Sequence, residues 1–265
     1  MGTPLKNPPV YLTLVQARFN PVLKLADYVP SVQEGLRKAG YPAYTQQSSV
    51  VMRLPNTQEM QQQPSALPQP AQHVQYFFSN AAQTHGFVLN SDALTFQSSD
   101  YGTYEKFSAQ FLQGLALVHD LVKLDFTERV GLRYLDHVAP RKGETIDQYL
   151  VPEVLGLGAR LGGQLLHAFS ETFCAIDKVR LRSRVLVQGG SLVFPPDLLP
   201  NGVKVHERFL QPSEVSAMVD TDGAVEGREL FAMDAVKKHL DAIHAVIGDS
   251  FRRTVTPHAL KAWDE

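Results

Sequence analysis

Polar and apolar positions alternate along much of this chain, and in a few long stretches the apolar residues recur every three or four positions instead. Residues 10–19, VYLTLVQARF, lie between Pro9 and Pro21 and read as a first strand. In LADYVPSVQEGLRKAGYP, Val29, Val32 and Leu36 recur at helical spacing. Gly40 and Pro42 are placed to stop that helix, and Pro30 predicts that its regular part starts close to residue 30. The stretches HVQYFFSN and GFVLNSDALTFQSSDY predict two or three strands with a turn at Asn90–Asp92. From Thr103 to about Lys123 a strong amphipathic helix follows, with Tyr104, Phe107, Phe111, Leu115, Val118 and Val122 on one face and Thr103 as its cap.

The next strand, RVGLRYLDHV at 129–138, has two dissimilar faces. Val130, Leu132, Tyr134 and Val138 point one way; Arg129, Gly131, Arg133 and His137 point the other. After a Lys-Gly-Glu turn at 142–144, a short helical stretch is interrupted by Pro152. LLHAFSETFCAI and DKVRLRSRVLVQ then read as long strands, and GVKVHERFLQ and EVSAMVDTDG as two more, the first entered through an Asn-Gly turn at 201–202. A last long helix starts near Asp234, buries Val236, Leu240, Ile243, Ile247 and Phe251, and leads into a terminal turn ending at Trp263.

Strands interrupted by a few long helices predict an α+β fold: mainly antiparallel sheets with amphipathic helices packed on one face. Both halves run strands and then one long helix. The expected division is an N-terminal half, 1–142, and a C-terminal half, 143–265, similar in outline. Residues 55–72 hold six Gln and four Pro and read as a flexible excursion.

Composition narrows the function classes. The chain of 265 residues is 44% hydrophobic and 20% charged with a formal net charge of −2, which argues against a protein built mainly to coat nucleic acid. A single cysteine, Cys174, excludes an internal disulfide and reads as a small core residue. No segment approaches the ~18 apolar residues of a spanning helix, so the expectation is a cytoplasmic protein with no membrane contact.

Chemical motifs are sought without success. In GLGARLGG the glycines at 156, 158 and 162 miss the dinucleotide spacing, and no Lys-Ser or Lys-Thr follows. The nine histidines show no metal spacing. GGSLV lacks the second flanking glycine of a nucleophile elbow and reads as a turn into a strand. DTDGAVEGRE starts like a calcium loop but bends too early and lacks Glu at its twelfth position, so it reads as a polar hairpin loop. No cofactor and no metal are expected.

What remains is charge. Three segments put basic residues opposite an apolar row: Arg129, Arg133 and His137; then Lys178, Arg180, Arg182 and Arg184; then Lys204, His206 and Arg208. If EVSAMVDTDG neighbours them, its Glu214, Asp220 and Asp222 supply cross-strand ion pairs of about 0.2–1 kcal/mol each. Otherwise the rows form a cationic face for an anion, since guanidinium groups bind phosphate or carboxylate through two hydrogen bonds. The rows carry no interleaved aromatics for base stacking, which leaves an acidic protein partner at least as well matched.

The segments NPPVYLTLVQARFNP, ERVGLRYLDHV and LDAIHAVIGDSFRRTVTPHALKAWDE together resemble a sporadically distributed family of uncharacterised bacterial and archaeal proteins. Its marks are a proline-led first strand, an R-[IV]-G-L-R-Y-[IL]-N-like strand, and a closing helix followed by Phe, Thr and Trp. Asn20-Pro21 and Asp136 depart from the usual residues. The resemblance implies no activity, cofactor or catalytic residue; the family's patchy distribution suggests accessory genes of mobile elements or anti-phage defence.

The expectation is therefore a non-enzymatic protein acting through protein–protein contacts, with a homodimer as one form of them. The candidate partner-binding residues are Arg129, Arg133, His137, Arg180, Arg182, Arg184, Lys204 and Arg208. The alternatives are a nucleic-acid binder using the same face, and an enzyme acting on a phosphate-bearing substrate. In the enzyme, Arg133 and Arg182 would stabilise charge and Glu171 or Glu207 would serve as acid/base.

Overall fold

The computed structural model describes residues 5–53, 69–161, 163–198 and 201–265. Nine strands form one antiparallel sheet in the order β2-β3-β4-β5-β1-β6-β9-β8-β7. They are β1 (Val10–Phe19), β2 (Ala43–Arg53), β3 (Gln69–Ser79), β4 (His85–Asn90), β5 (Ala93–Ser98), β6 (Phe126–Val138), β7 (His167–Ile176), β8 (Val179–Gly190) and β9 (Ser213–Leu230). The fold is α+β. Strand β6 pairs with β1 on one side and β9 on the other, so one sheet runs across residue 142.

The helices cover one face. They are α1 (Leu25–Lys38), α2 (Tyr104–Val122), the one-turn helices α3 (Ile146–Tyr149) and α4 (Pro152–Leu155), then α5 (Met233–Thr254) and α6 (Pro257–Asp264). Their spacing patterns become a shared core. Val32 and Leu36 of α1, Phe107 and Phe111 of α2, and Leu240 and Ile243 of α5 meet Val15, Phe96 and Leu132 of the sheet. Thr103 caps α2 by accepting from Lys106 N, and Thr256 caps α6 by accepting from Ala259 N. A second cluster joins Val138, Val185 and Val219 to Tyr149, Ala259 and Trp263. At Gly223 of β9 a Cβ would stand 2.6 Å from Ile243 Cγ2, so the absence of a side chain lets α5 settle on the sheet.

Several expectations are corrected. Helix α1 starts a turn before Pro30, because the proline stands close enough to the first turn to forfeit only the bond to the Ala26 carbonyl. Strand β2 is too polar and too exposed to show an apolar face. Most of the Gln/Pro-rich stretch lies outside the described residues. Residues 69–72, however, belong to β3, and Pro70 sits where β3 pairs with β2 alone, an edge position that tolerates a missing N–H. The segment around Lys204 is not a strand: residues 203–206 are irregular and Glu207–Phe209 is a 3-10 turn. Its alternating Val203, Val205 and Phe209 instead pin a loop over Tyr11 and Leu135. Residues 220–229 are not a hairpin loop but continue β9, and Ser191 follows the end of β8 rather than opening a strand. Cys174 is half-buried against the core. No helix among the described residues is long and apolar enough to cross a membrane.

Candidate functional site

The two faces of the central strands carry different chemistry. On the face away from the helices, β9 lies between β6 and β8 and places an acidic row between their arginines. Asp220 is fully buried and holds two of them. Arg133 Nε donates to Asp220 Oδ1 at 2.8 Å and its Nη2 to Oδ2 at 2.9 Å, while Arg184 Nε donates to Oδ2 at 2.9 Å. Asp197, from the covering loop, accepts from Arg133 Nη1 at 2.7 Å and from Arg184 Nη2 at 3.4 Å. Hydrogen bonding to Arg133 lowers the Asp197 carboxyl to about 2. Two arginines and two aspartates thus close a set without net charge.

Farther along, Arg129 lies 3.6 Å from Asp222 and 3.8 Å from Glu226, and Arg180 donates to Glu226 at 2.6 Å. The bare Cα of Gly131 makes room for the Arg129 guanidinium, whose Nη1 would stand 2.5 Å from a Cβ there. Arg182 makes no ion pair among the described residues; its guanidinium lies 5.5 Å from the centre of the Phe173 ring.

The remaining basic residues stand elsewhere. His137 is buried beside Phe209, and burial lowers its pKa. Arg208 donates to the Pro8 carbonyl at 2.7 Å and stacks on Phe209. Lys204 is exposed in the covering loop, where its backbone carbonyl accepts from Ser99 Oγ at 2.6 Å. The sheet therefore brings together Arg129, Arg133, Arg180, Arg182 and Arg184, but not Lys204 and Arg208. Of the acids named for an enzyme, Glu171 pairs in register with Arg184, whereas Glu207 lies in the 3-10 turn next to Phe209.

Strand β7 adds what the basic rows lacked in sequence. Phe173 pairs in register with Arg182 and Phe169 with Leu186, so both rings project from the arginine-bearing face. They are 58% and 62% exposed for Phe169 and Phe173 respectively.

The helix face holds a second polar group. Ser98, Thr13, Tyr134, Thr221 and Ser183 pair in register across β5, β1, β6, β9 and β8, forming a row of hydroxyls between the two apolar clusters. The Tyr134 hydroxyl lies 2.7 Å from the Tyr101 hydroxyl and 3.2 Å from His244 Nδ1. Tyr104 stacks on the His244 ring at 3.9 Å, and its hydroxyl donates to Asp241 at 2.8 Å. Next to Tyr134 on this face is Asp136, 5% exposed, with its pKa pushed up to about 8 by burial and then by the charge of Asp220. This group was missed in the sequence. The available signal was an acid in the inward register of β6, between Tyr134 and Val138.

Among the described residues no cluster of His, Cys, Asp or Glu is arranged to hold a metal ion. No family model, curated protein or solved structure matches the chain.

Proposed function

We propose that the chain works without catalysis of its own, by docking a protein partner on the β7–β8 margin of the sheet. The observation that carries this reading is the state of edge strand β7. All ten of its residues are exposed or half-exposed, it ends the sheet, and it shows Phe169 and Phe173 to solvent. Edges of this kind are ordinarily shortened, charged or covered, because their free N–H and C=O groups template another strand. Here Glu171 is the only acidic residue along the strand, and the nearby Leu161 and Leu166 are also exposed. Apolar area rimmed by polar groups marks interaction sites.

The rim sets the partner's chemistry. Arg182 faces Asp222 in register but makes no ion pair among the described residues, and Arg180 shares Glu226 with Arg129. An extended segment that alternates apolar and acidic side chains would add to β7 through its backbone, cover the phenylalanines and pair with the arginines. Arg133 and Arg184 are engaged by Asp220 and contribute to the scaffold rather than to the partner.

A nucleic-acid reading has one specific observation in its favour: the two phenylalanines supply exposed rings beside basic side chains, as base stacking needs. The two readings separate in one anisotropy experiment, with a labelled acidic–apolar ten-residue peptide and a labelled single-stranded oligonucleotide as probes. Peptide binding that is lost in the double variant Arg180→Glu with Arg182→Glu supports the protein reading. Oligonucleotide binding that falls steeply with salt, with no peptide binding, overturns it.

We also propose that the two halves of the chain are versions of one plan. Strands β1 and β6 lie side by side at the centre, β5 and β9 flank them, and each flanking strand leads into a long helix.

A further inference from the structure

A cavity of about 200 Å³ opens on the helix face between β6, α5 and the N-terminal segment. Its walls are apolar and aromatic: Pro8, Val10, Tyr101, Ile247 and Phe251. Its polar lining is the Asp136 carboxyl, the Tyr134–Tyr101–His244 chain of hydrogen bonds, and Thr221.

Two of these groups lack partners. Asp136 is 5% exposed and its side chain makes no hydrogen bond or ion pair among the described residues. Thr221 Oγ1 is buried with no hydrogen-bond partner. The Thr221 hydroxyl is costly as it stands, and the Asp136 carboxyl meets only the cavity. A buried hydroxyl or carboxyl without a partner loses its hydration and gains nothing, and native proteins retain few such groups without a use for them.

The lining also decides the charge of what would satisfy them. Among the described residues no lysine or arginine lines the cavity. His244 gives one ring nitrogen to the Tyr134 hydroxyl, and burial lowers its pKa, so it is a neutral ring. The nearest cation is Arg252 on α5, whose guanidinium stands beside Gly248 and whose charge reaches His244, and it is not part of the lining. A carboxylate, two phenol oxygens and aromatic faces together suit a cation. The volume is below the ~300 Å³ of sites for drug-sized ligands.

We propose that this cavity binds a small organic amine with an apolar body, its ammonium group held by Asp136 and the Thr221 hydroxyl. The site is on the opposite face from the β7–β8 margin, and the proposal stands independently of the docking reading. The titratable and charged groups around Asp136 are Tyr134 on its own strand, Tyr101 before α2, His244 and, beside Gly248, Arg252 on α5, and Asp220 and Tyr11 on the far face of the sheet. With Asp136 protonated near neutral pH in the free protein, an incoming ammonium ion displaces that proton to solvent. Binding at pH 7 then releases close to one proton per amine, because the ammonium keeps its own.

Three probes of equal length and different charge test this by calorimetry on the full chain: hexylamine, hexanol and hexanoate. Hexylamine is expected to bind about tenfold or more tightly than hexanol, as a charge-assisted hydrogen bond requires, and hexanoate more weakly than either. Asp136→Asn, an isosteric change, is expected to bring hexylamine down to the affinity of hexanol. The binding heat of hexylamine is expected to vary with the ionisation heat of the buffer. In the wild-type protein, the methyl signals of Thr221 and Ile247 are expected to shift on titration with hexylamine, a readout that depends on no variant. Equal affinity for amine and alcohol, preference for hexanoate, no binding of any probe, undiminished amine affinity in the variant, or shifts confined to other residues would each overturn the proposal.

Discussion

Arg133 grips Asp220 with the Nε–Nη2 edge of its guanidinium group, at 2.8 and 2.9 Å, although Asp220 is fully buried within the sheet. Such a pair is a poor source of net stability, because the desolvation of two charges offsets most of their attraction. It is a good register pin. A one-residue slip of β9 would turn Asp220 into the helix face and leave Arg133 and Arg184 without it.

Removing one member is therefore far worse than removing all. Asp220→Ala is expected to cost about 3–5 kcal/mol in denaturant unfolding, since two guanidinium groups lose their buried partner. Replacing Arg133, Arg184 and Asp220 together by apolar residues of similar volume is expected to restore most of that loss. Similar destabilisation by the single and the triple variant would show that packing, not charge, is at stake.

Asp136 makes stability depend on pH in an unusual direction. Its pKa is raised from the ordinary 3.8 to about 8 in the folded chain. Between these values the native state holds a proton that the unfolded state has released, so stability falls as pH rises from about 4 to about 8 and levels above it. Each pKa unit is worth about 1.4 kcal/mol. Asp136→Asn is expected to remove this slope, read as the difference between wild-type and variant unfolding curves at pH 5 and pH 9. Parallel curves would mean that the carboxyl is solvated.

The seat of α5 depends on Gly223, whose missing Cβ leaves room for Ile243 and Ile247. Gly223→Ala is expected to cost about 1–3 kcal/mol through overpacking, with loss of α5 amide protection in hydrogen exchange before the rest of the sheet. An unchanged melting temperature would mean that the helix shifts without cost.

Much of this fold was legible from periodicity. β1, β6, α2 and α5 have one apolar face each, and their spacing predicted them within about three residues at each end. The failures share a cause: alternation describes which side chains are buried, not what buries them. Val203, Val205 and Phe209 alternate because a loop presses them onto Tyr11 and Leu135, and no ladder is involved. Residues 220–229 look like a loop because their carboxylates are answered by arginines from two other strands. The basic rows were visible as rows. Their partners became visible only when strand order put β9 between β6 and β8. Phe169 and Phe173 lie in a segment that reads as a strand, and only the edge position of β7 makes them surface.

The docking of a partner strand on β7 is tested most directly by hydrogen–deuterium exchange along residues 167–176, with and without a saturating acidic–apolar peptide. Alternate amides of β7, which point away from β8, are expected to slow on binding, with Phe173→Ala abolishing the effect. Unchanged exchange along β7 while the peptide is bound would place the contact elsewhere and contradict the proposed function.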